Sequence, residues 1–131
     1  MTLSISFIES IARKPNFEHG LPASDYDISS AERELGIRFS SEYIYYLKKY
    51  GYASYQGHIL TGISPYRGNN VVSVTIEAKE NNYLIDDCYV IEEAHIDGII
   101  ICQDYNGSVF LVVPGLLPQI IYNSLAEYIE L

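Results

Sequence analysis

Residues 28–62, ISSAERELGIRFSSEYIYYLKKYGYASYQGHILTG, constrain the fold more than any other stretch: they hold two capped amphipathic helices and a glycine turn into a strand. Asp27 and Ser29 give the first helix two overlapping starts, and Ser29 with Glu32 has capping-box spacing. Ile28, Ala31 and Leu35 share one face, and Gly36 is a natural C-terminal stop. After Ile37 and Phe39, Ser40 caps a second helix, with Glu42 in the first turn where the dipole favours an acid. Tyr43, Tyr46, Leu47 and Tyr50 then fall at i, i+3, i+4 and i+7, a buried stripe. Lys48 and Lys49 suit the C-terminal end, and Gly51 closes the helix. Gln56-Gly57 turns the chain into an apolar strand over 58–63.

The flanking segments read as further helices and strands. Leu3, Phe7, Ile8 and Ile11 recur at helical spacing, so residues 3–14 are expected to form a helix that Pro15 ends, followed by a loop over 16–26. Residues 70–82 fit two patterns. Val72, Val74 and Ile76 alternate as in a strand, whereas Val71, Val74 and Ala78 suit a helix capped by Asn69 or Asn70. Strands are expected over 88–92 and 99–103, and Asn106-Gly107 offers a tight hairpin into a return strand over 109–113. Pro114, Gly115 and Pro118 interrupt the sheet before a short strand over 119–122. Ser124 then caps a C-terminal helix whose Leu125, Tyr128 and Ile129 close over the core.

A chain of 131 residues with 48% hydrophobic and 19% charged residues suits one globular domain that needs no metal or disulfide. Its first residues lack the basic flank and unbroken apolar run of a secretory signal, and no later run approaches the roughly 20 apolar residues of a membrane span. A cytoplasmic location is therefore expected, with Cys88 and Cys102 reduced and packed as small hydrophobes. The net charge of −9 is unevenly placed. Residues 1–68 hold seven acids and seven bases, whereas residues 69–131 hold ten acids and one base, Lys79. A surface of that sign repels phosphate backbones and attracts basic proteins, which argues against direct nucleic-acid binding.

Catalytic signatures are weak. His19, His58 and His95 show no i, i+4 pair for a metal, and Gly62-Ile63-Ser64-Pro65-Tyr66 lacks the closing glycine of a nucleophile elbow. Asp104-Tyr105-Asn106-Gly107 starts like a calcium loop, but Gly115 stands where the twelfth-position Glu belongs. No catalytic residue, cofactor or metal is expected. The acidic cluster is the better candidate: Glu77, Glu80, Asp86, Asp87, Glu92, Glu93, Asp97 and Asp104 can form either a solvated face or a docking face for a basic protein. Tyr45, Tyr52, Tyr55 and Tyr66 fall off the apolar stripe or in turns, and tyrosine suits interfaces because it offers large contact area at small entropic cost.

The order of these residues resembles the SUKH superfamily. Glu32, Leu35-Gly36, Tyr43, Tyr46-Leu47, Tyr50-Gly51 and Gly57 before Ile59 match its helical half. Asp97-Gly98, Ile101, Asp104, Gly107 and Phe110 look like its paired strands and hairpin, and Ser124, Tyr128 and Ile129 like its closing helix. The likeness covers residues 28 to 131, leaving 1–27 as an N-terminal helix and loop within one domain. Ser40-Ser41 stands where many members carry Leu-Pro. The resemblance implies an α+β fold, with a mainly antiparallel sheet of about five or six strands packed with N-terminal helices and a short C-terminal helix, and favours a helix over 70–82. It also implies a non-enzymatic immunity protein that binds and neutralises a cognate bacterial toxin, often a nuclease, by occluding its active site, and the acidic half of the chain suits a toxin with a basic surface. The alternative it carries is a regulatory or scaffold adaptor with several protein partners.

Overall fold

A computed structural model describes residues 8–81, 86–94 and 98–130. Among them, seven strands form one antiparallel sheet in which every strand neighbours the next in sequence. They are β1 (Glu18–His19), β2 (Ala53–Tyr55), β3 (His58–Leu60), β4 (Cys88–Glu93), β5 (Ile100–Asp104), β6 (Val109–Val112) and β7 (Gln119–Tyr122). This is the expected α+β architecture. The strand beyond the expected five or six is β1, two residues from the segment read as loop, paired with β2 through Glu18 and Ser54.

Among the described residues four α-helices flank the sheet: α1 (Asp25–Leu35), α2 (Ser41–Tyr50), α3 (Val71–Glu80) and α4 (Leu125–Ile129). The start of α1 is earlier than the sequence suggests. Ser24, not Ser29, is the cap and accepts from the Asp27 amide at 3.1 Å, which leaves Asp27 and Ser29 inside the helix. Glu32 reaches forward instead, accepting from the Phe39 amide at 2.9 Å and tying the helix to the next turn. Gly36 ends α1 at φ 66°, a left-handed conformation that costs glycine no Cβ clash. Ser40 and Ser124 cap α2 and α4 as expected. The ambiguity over 70–82 resolves as helix, because the Asn70 side chain accepts from the Val72 and Ser73 amides.

The helix expected over 3–14 lies partly outside the described residues. Ile8 and Glu9 are helical and Ser10–Arg13 form a 3-10 turn, while Leu3 and Phe7 lie outside the described residues. The expected turn at Gln56-Gly57 and the expected tight hairpin at Asn106-Gly107 differ from each other. Gln56 and Gly57 both adopt positive φ, at 47° and 82°, as a two-residue hairpin requires. Between β5 and β6 only Gly107 does, at 95°. The Asp104 carbonyl accepts from the Gly107 amide, and its carboxylate from the Ser108 amide.

The sheet buries two different faces. On the first, α1, α2 and α4 bring Ile28, Leu35, Tyr43, Tyr46, Leu47, Leu125 and Ile129 together with Leu60, Tyr89, Ile91, Ile101 and Val109. On the second, Val74 and Ala78 of α3 cover Cys88, Val90, Ile100, Cys102 and Val112, so both free cysteines pack in apolar surroundings as expected. Strand β4 feeds both faces and is buried from Cys88 to Glu92. A bulge interrupts its alternation: Val90 faces Cys102 and Glu92 faces Ile101, leaving Ile91 as the extra residue. Thr75 Oγ1 accepts from the Val90 amide there, at 3.1 Å.

The first face carries many hydroxyls, and several of them bond internally. Tyr43 and Tyr46 reach the hydroxyl and the carbonyl of Thr61, each at 2.8 Å. Tyr89 donates to Gln103 Oε1 at 2.7 Å and accepts from the Ser40 amide at 3.0 Å. Gln103 Nε2 donates to the buried Glu42 at 2.8 Å, and the Glu42 carboxylate accepts from the Leu125 and Ala126 amides of α4. Glu42, in the first turn of α2 as expected, is thus also the clasp between α2, β5 and α4. Among the described residues no buried side-chain nitrogen or oxygen lacks a partner.

Candidate functional site

Antiparallel register builds the site. Cys88 opens β4 and lies opposite Asp104 at the end of β5, so Asp86 and Asp87, just before Cys88, arrive beside Asp104. Asp87 takes φ 64°, a conformation that Asp tolerates better than most side chains. The residues just after α1, Gly36 to Arg38, form another wall. Between them is an open cleft of about 690 Å³ that also meets Tyr105 and Phe110. The Arg38 guanidinium sits over the Tyr105 ring at 5.8 Å, a cation–π contact at the rim.

Three carboxylates, an exposed aromatic ring and an apolar floor suit a cationic side chain or a basic protein surface. Such a cleft does not favour a nucleophile. Burial first, and then Asp104, Asp87 and Asp86, push the Cys88 thiol up to about 12, so it stays protonated at neutral pH and is a poor attacking group. Among the described residues no group of His, Cys, Asp or Glu is arranged to hold a metal ion.

The other acids anticipated as partner-binding are dispersed. Glu77 and Glu80 lie on the exposed side of α3, lining a smaller concavity of about 340 Å³ with Glu34 and Arg67. Glu93 is half-buried at the end of β4, and Asp97, like His95, lies outside the described residues. Glu92 needs correction, because the bulge turns it inward: it is 6% exposed, with His58 Nδ1 at 3.0 Å and the Tyr128 hydroxyl donating to it. Burial and then Glu92 push the Tyr128 hydroxyl pKa upward, so Tyr128 remains a donor. Glu92 therefore anchors α4 to β3 and is not presented to a partner.

The tyrosines divide similarly. Tyr66 is exposed and Tyr52 half-buried, with their rings edge-on at 6.2 Å. Tyr45, half-buried, donates to Glu9. Tyr55 is the second correction, being 2% exposed and stacked on His58 at 5.1 Å. Period-two burial places it inward, because β2 shows Ala53 and Tyr55 buried on either side of half-buried Ser54. Sequence reasoning missed Arg38, Tyr105 and Phe110 as cleft residues. A signal existed for Tyr105, an aromatic set in a hairpin turn, where burial is hardest to arrange.

No helix among the described residues is long and apolar enough to cross a membrane. No curated protein matches the chain. A family profile described as SMI1-KNR4 cell-wall (SUKH_5) matches residues 5–131. That family fits immunity-type proteins and related regulators, which are generally non-catalytic. The order of elements from the two capped helices to the closing helix α4, together with this match over nearly the whole length, places the chain in the SUKH superfamily as a member of the SMI1-KNR4 cell-wall family.

Proposed function

We propose that this protein is an immunity protein that neutralises a cognate bacterial toxin by covering its active site or substrate groove with the acidic cleft. The observation that carries this reading is the convergence of Asp86, Asp87 and Asp104 beside Tyr105, on the half of the chain that holds the whole negative excess. A toxin that acts on nucleic acid presents a basic groove, and opposite potentials raise the association rate and select the partner. The protein would act by binding alone, with Glu77 and Glu80 as outlying charges that steer approach.

The reading is tested by co-expressing the chain with the product of an adjacent toxin gene and measuring growth, then titrating the purified pair. Rescue of growth and a complex that weakens as salt rises are expected. Asp86→Lys is expected to weaken binding by about tenfold or more, mainly through slower association. A complex indifferent to salt, to Asp86→Lys and to Asp104→Asn would overturn the cleft as the docking site. Binding to several unrelated proteins, with no rescue, would favour the adaptor reading.

A further inference from the structure

Among the described residues the sheet has two unpaired edges, and they are finished differently. β1 is two residues long and presents exposed Glu18 and His19, a short charged edge that discourages pairing. β7 has no such protection. Residues 105–126 contain no Asp, Glu, Lys, Arg or His, and this stretch forms the β6–β7 hairpin and its surroundings. Three large apolar side chains stand out from it: Leu116 is 67% exposed, Leu117 88% and Ile120 61%. Pro114 and Pro118 fix the backbone on either side of the leucines, so little loop entropy is lost on docking.

We infer that this hairpin is the docking surface for a second copy of the same chain, forming a two-fold dimer through Leu116, Leu117 and Ile120. Charge selects the occupant. Two copies each carrying −9 repel wherever acids face one another, and the charge-free hairpin is where they can meet without that cost. A basic partner gains no electrostatic attraction there and is drawn instead to the acidic half. With hairpins side by side, the four strand spacings within the two copies, at roughly 4.8 Å each, already put β5 of one copy about 19 Å from β5 of the other before the seam is counted. That separation exceeds the Debye length of about 8 Å at physiological salt, so the two acidic clefts are screened from each other and left open.

A register shift at Val109/Phe110 leaves Ile121 as an extra residue in β7, which restricts strand pairing across the edge to Gln119 and Ile120. The contact is therefore mainly between side chains, and the dimer is a weak one of small area. A two-fold operation lets the same patch serve both copies and closes the assembly at two.

Sedimentation over a range reaching high micromolar concentration tests this on the full chain. A monomer–dimer equilibrium is expected, tightening or holding as salt rises, opposite in sign to a toxin complex held by the cleft. Leu117→Glu and Ile120→Lys, both at exposed positions, are each expected to weaken self-association by about a hundredfold, by setting like charges against each other. Their circular dichroism and melting temperature should match wild type. A wild-type chain that stays monomeric throughout, a dimer that survives both variants, a dimer dissolved by salt, or growth into open polymers would each overturn the inference.

Discussion

The two faces of the sheet bury their side chains by opposite means. The face under α2 and α4 carries Ser40, Glu42, Thr61, Tyr89, Glu92 and Gln103, buried polar groups that are mutually satisfied. The face under α3 is almost wholly apolar, with Thr75 at the β4 bulge as its polar contributor. A satisfied polar network fixes orientation, because each donor accepts few geometries, whereas an apolar layer fixes mainly volume. The difference teaches where tolerance lies. The polar face specifies one arrangement of helices, and the apolar face leaves its margin, around Phe110 and the acidic cleft, open to the outside.

The contrast is broken hardest at Glu42. Glu42→Ala strips acceptors from Gln103 Nε2 and from two α4 amides, and is expected to cost about 3 kcal/mol, read as a lower urea midpoint. Glu42→Gln, which keeps one acceptor oxygen, should lose less; an equal loss would mean that charge and not hydrogen bonding holds the clasp. On the other face the vulnerable change runs the other way. Cys102→Ser adds a hydroxyl to a fully buried apolar layer and is expected to cost about 2 kcal/mol, while a neutral result would show that water reaches that layer.

Alkaline pH probes both faces at once. The Cys88 thiol titrates near 12 in the folded chain against an ordinary value of 9.0, so from pH 9 upward the unfolded chain sheds a proton that the folded chain keeps. Stability is then level below pH 9 and falls progressively toward pH 12. Buried Tyr43, Tyr46 and Tyr89, all displaced upward by burial, steepen the fall above pH 10. Urea midpoints across this window should decline, less so between pH 9 and 10 in Cys88→Ala; a flat profile would contradict the burial of these groups. The smallest effect is expected at the open margin. Asp86→Lys should move stability by no more than about 0.5 kcal/mol while changing partner affinity, which separates the cleft from the core that supports it.

Local chemistry made the helices legible. Caps, tyrosine spacing and terminal glycines act within a few residues, so α2 and α4 are placed from sequence alone. The start of α1 was not: Asp27 and Ser29 were the expected caps, and the helix uses Ser24 instead. Tertiary contact decides among them, through the Ala23 amide held at 2.9 Å by the Leu47 carbonyl just before the cap. Strict alternation sends Glu92 to the face opposite its neighbour Ile91, and only the bulge reverses that. The three cleft carboxylates were visible as acids. Their convergence depends on the pairing of Cys88 with Asp104, a long-range register that no local pattern encodes. The same pairing says nothing in favour of Glu77 or Glu80, which α3 carries elsewhere.

The clasp at Glu42 also orders events in time. From β3 onward the strands join consecutive segments, so that part of the sheet can grow as the chain emerges, with modest loop closure at each step. Glu42 cannot be satisfied in that way, because its α4 amides lie 83 and 84 residues downstream. Gln103 Nε2 can reach the carboxylate earlier, but until Leu125 and Ala126 are in place the bonds that their amides donate are missing, and the clasp between α2, β5 and α4 stays incomplete. The nascent protein is thus held short of its final packing by one side chain that waits for its partner.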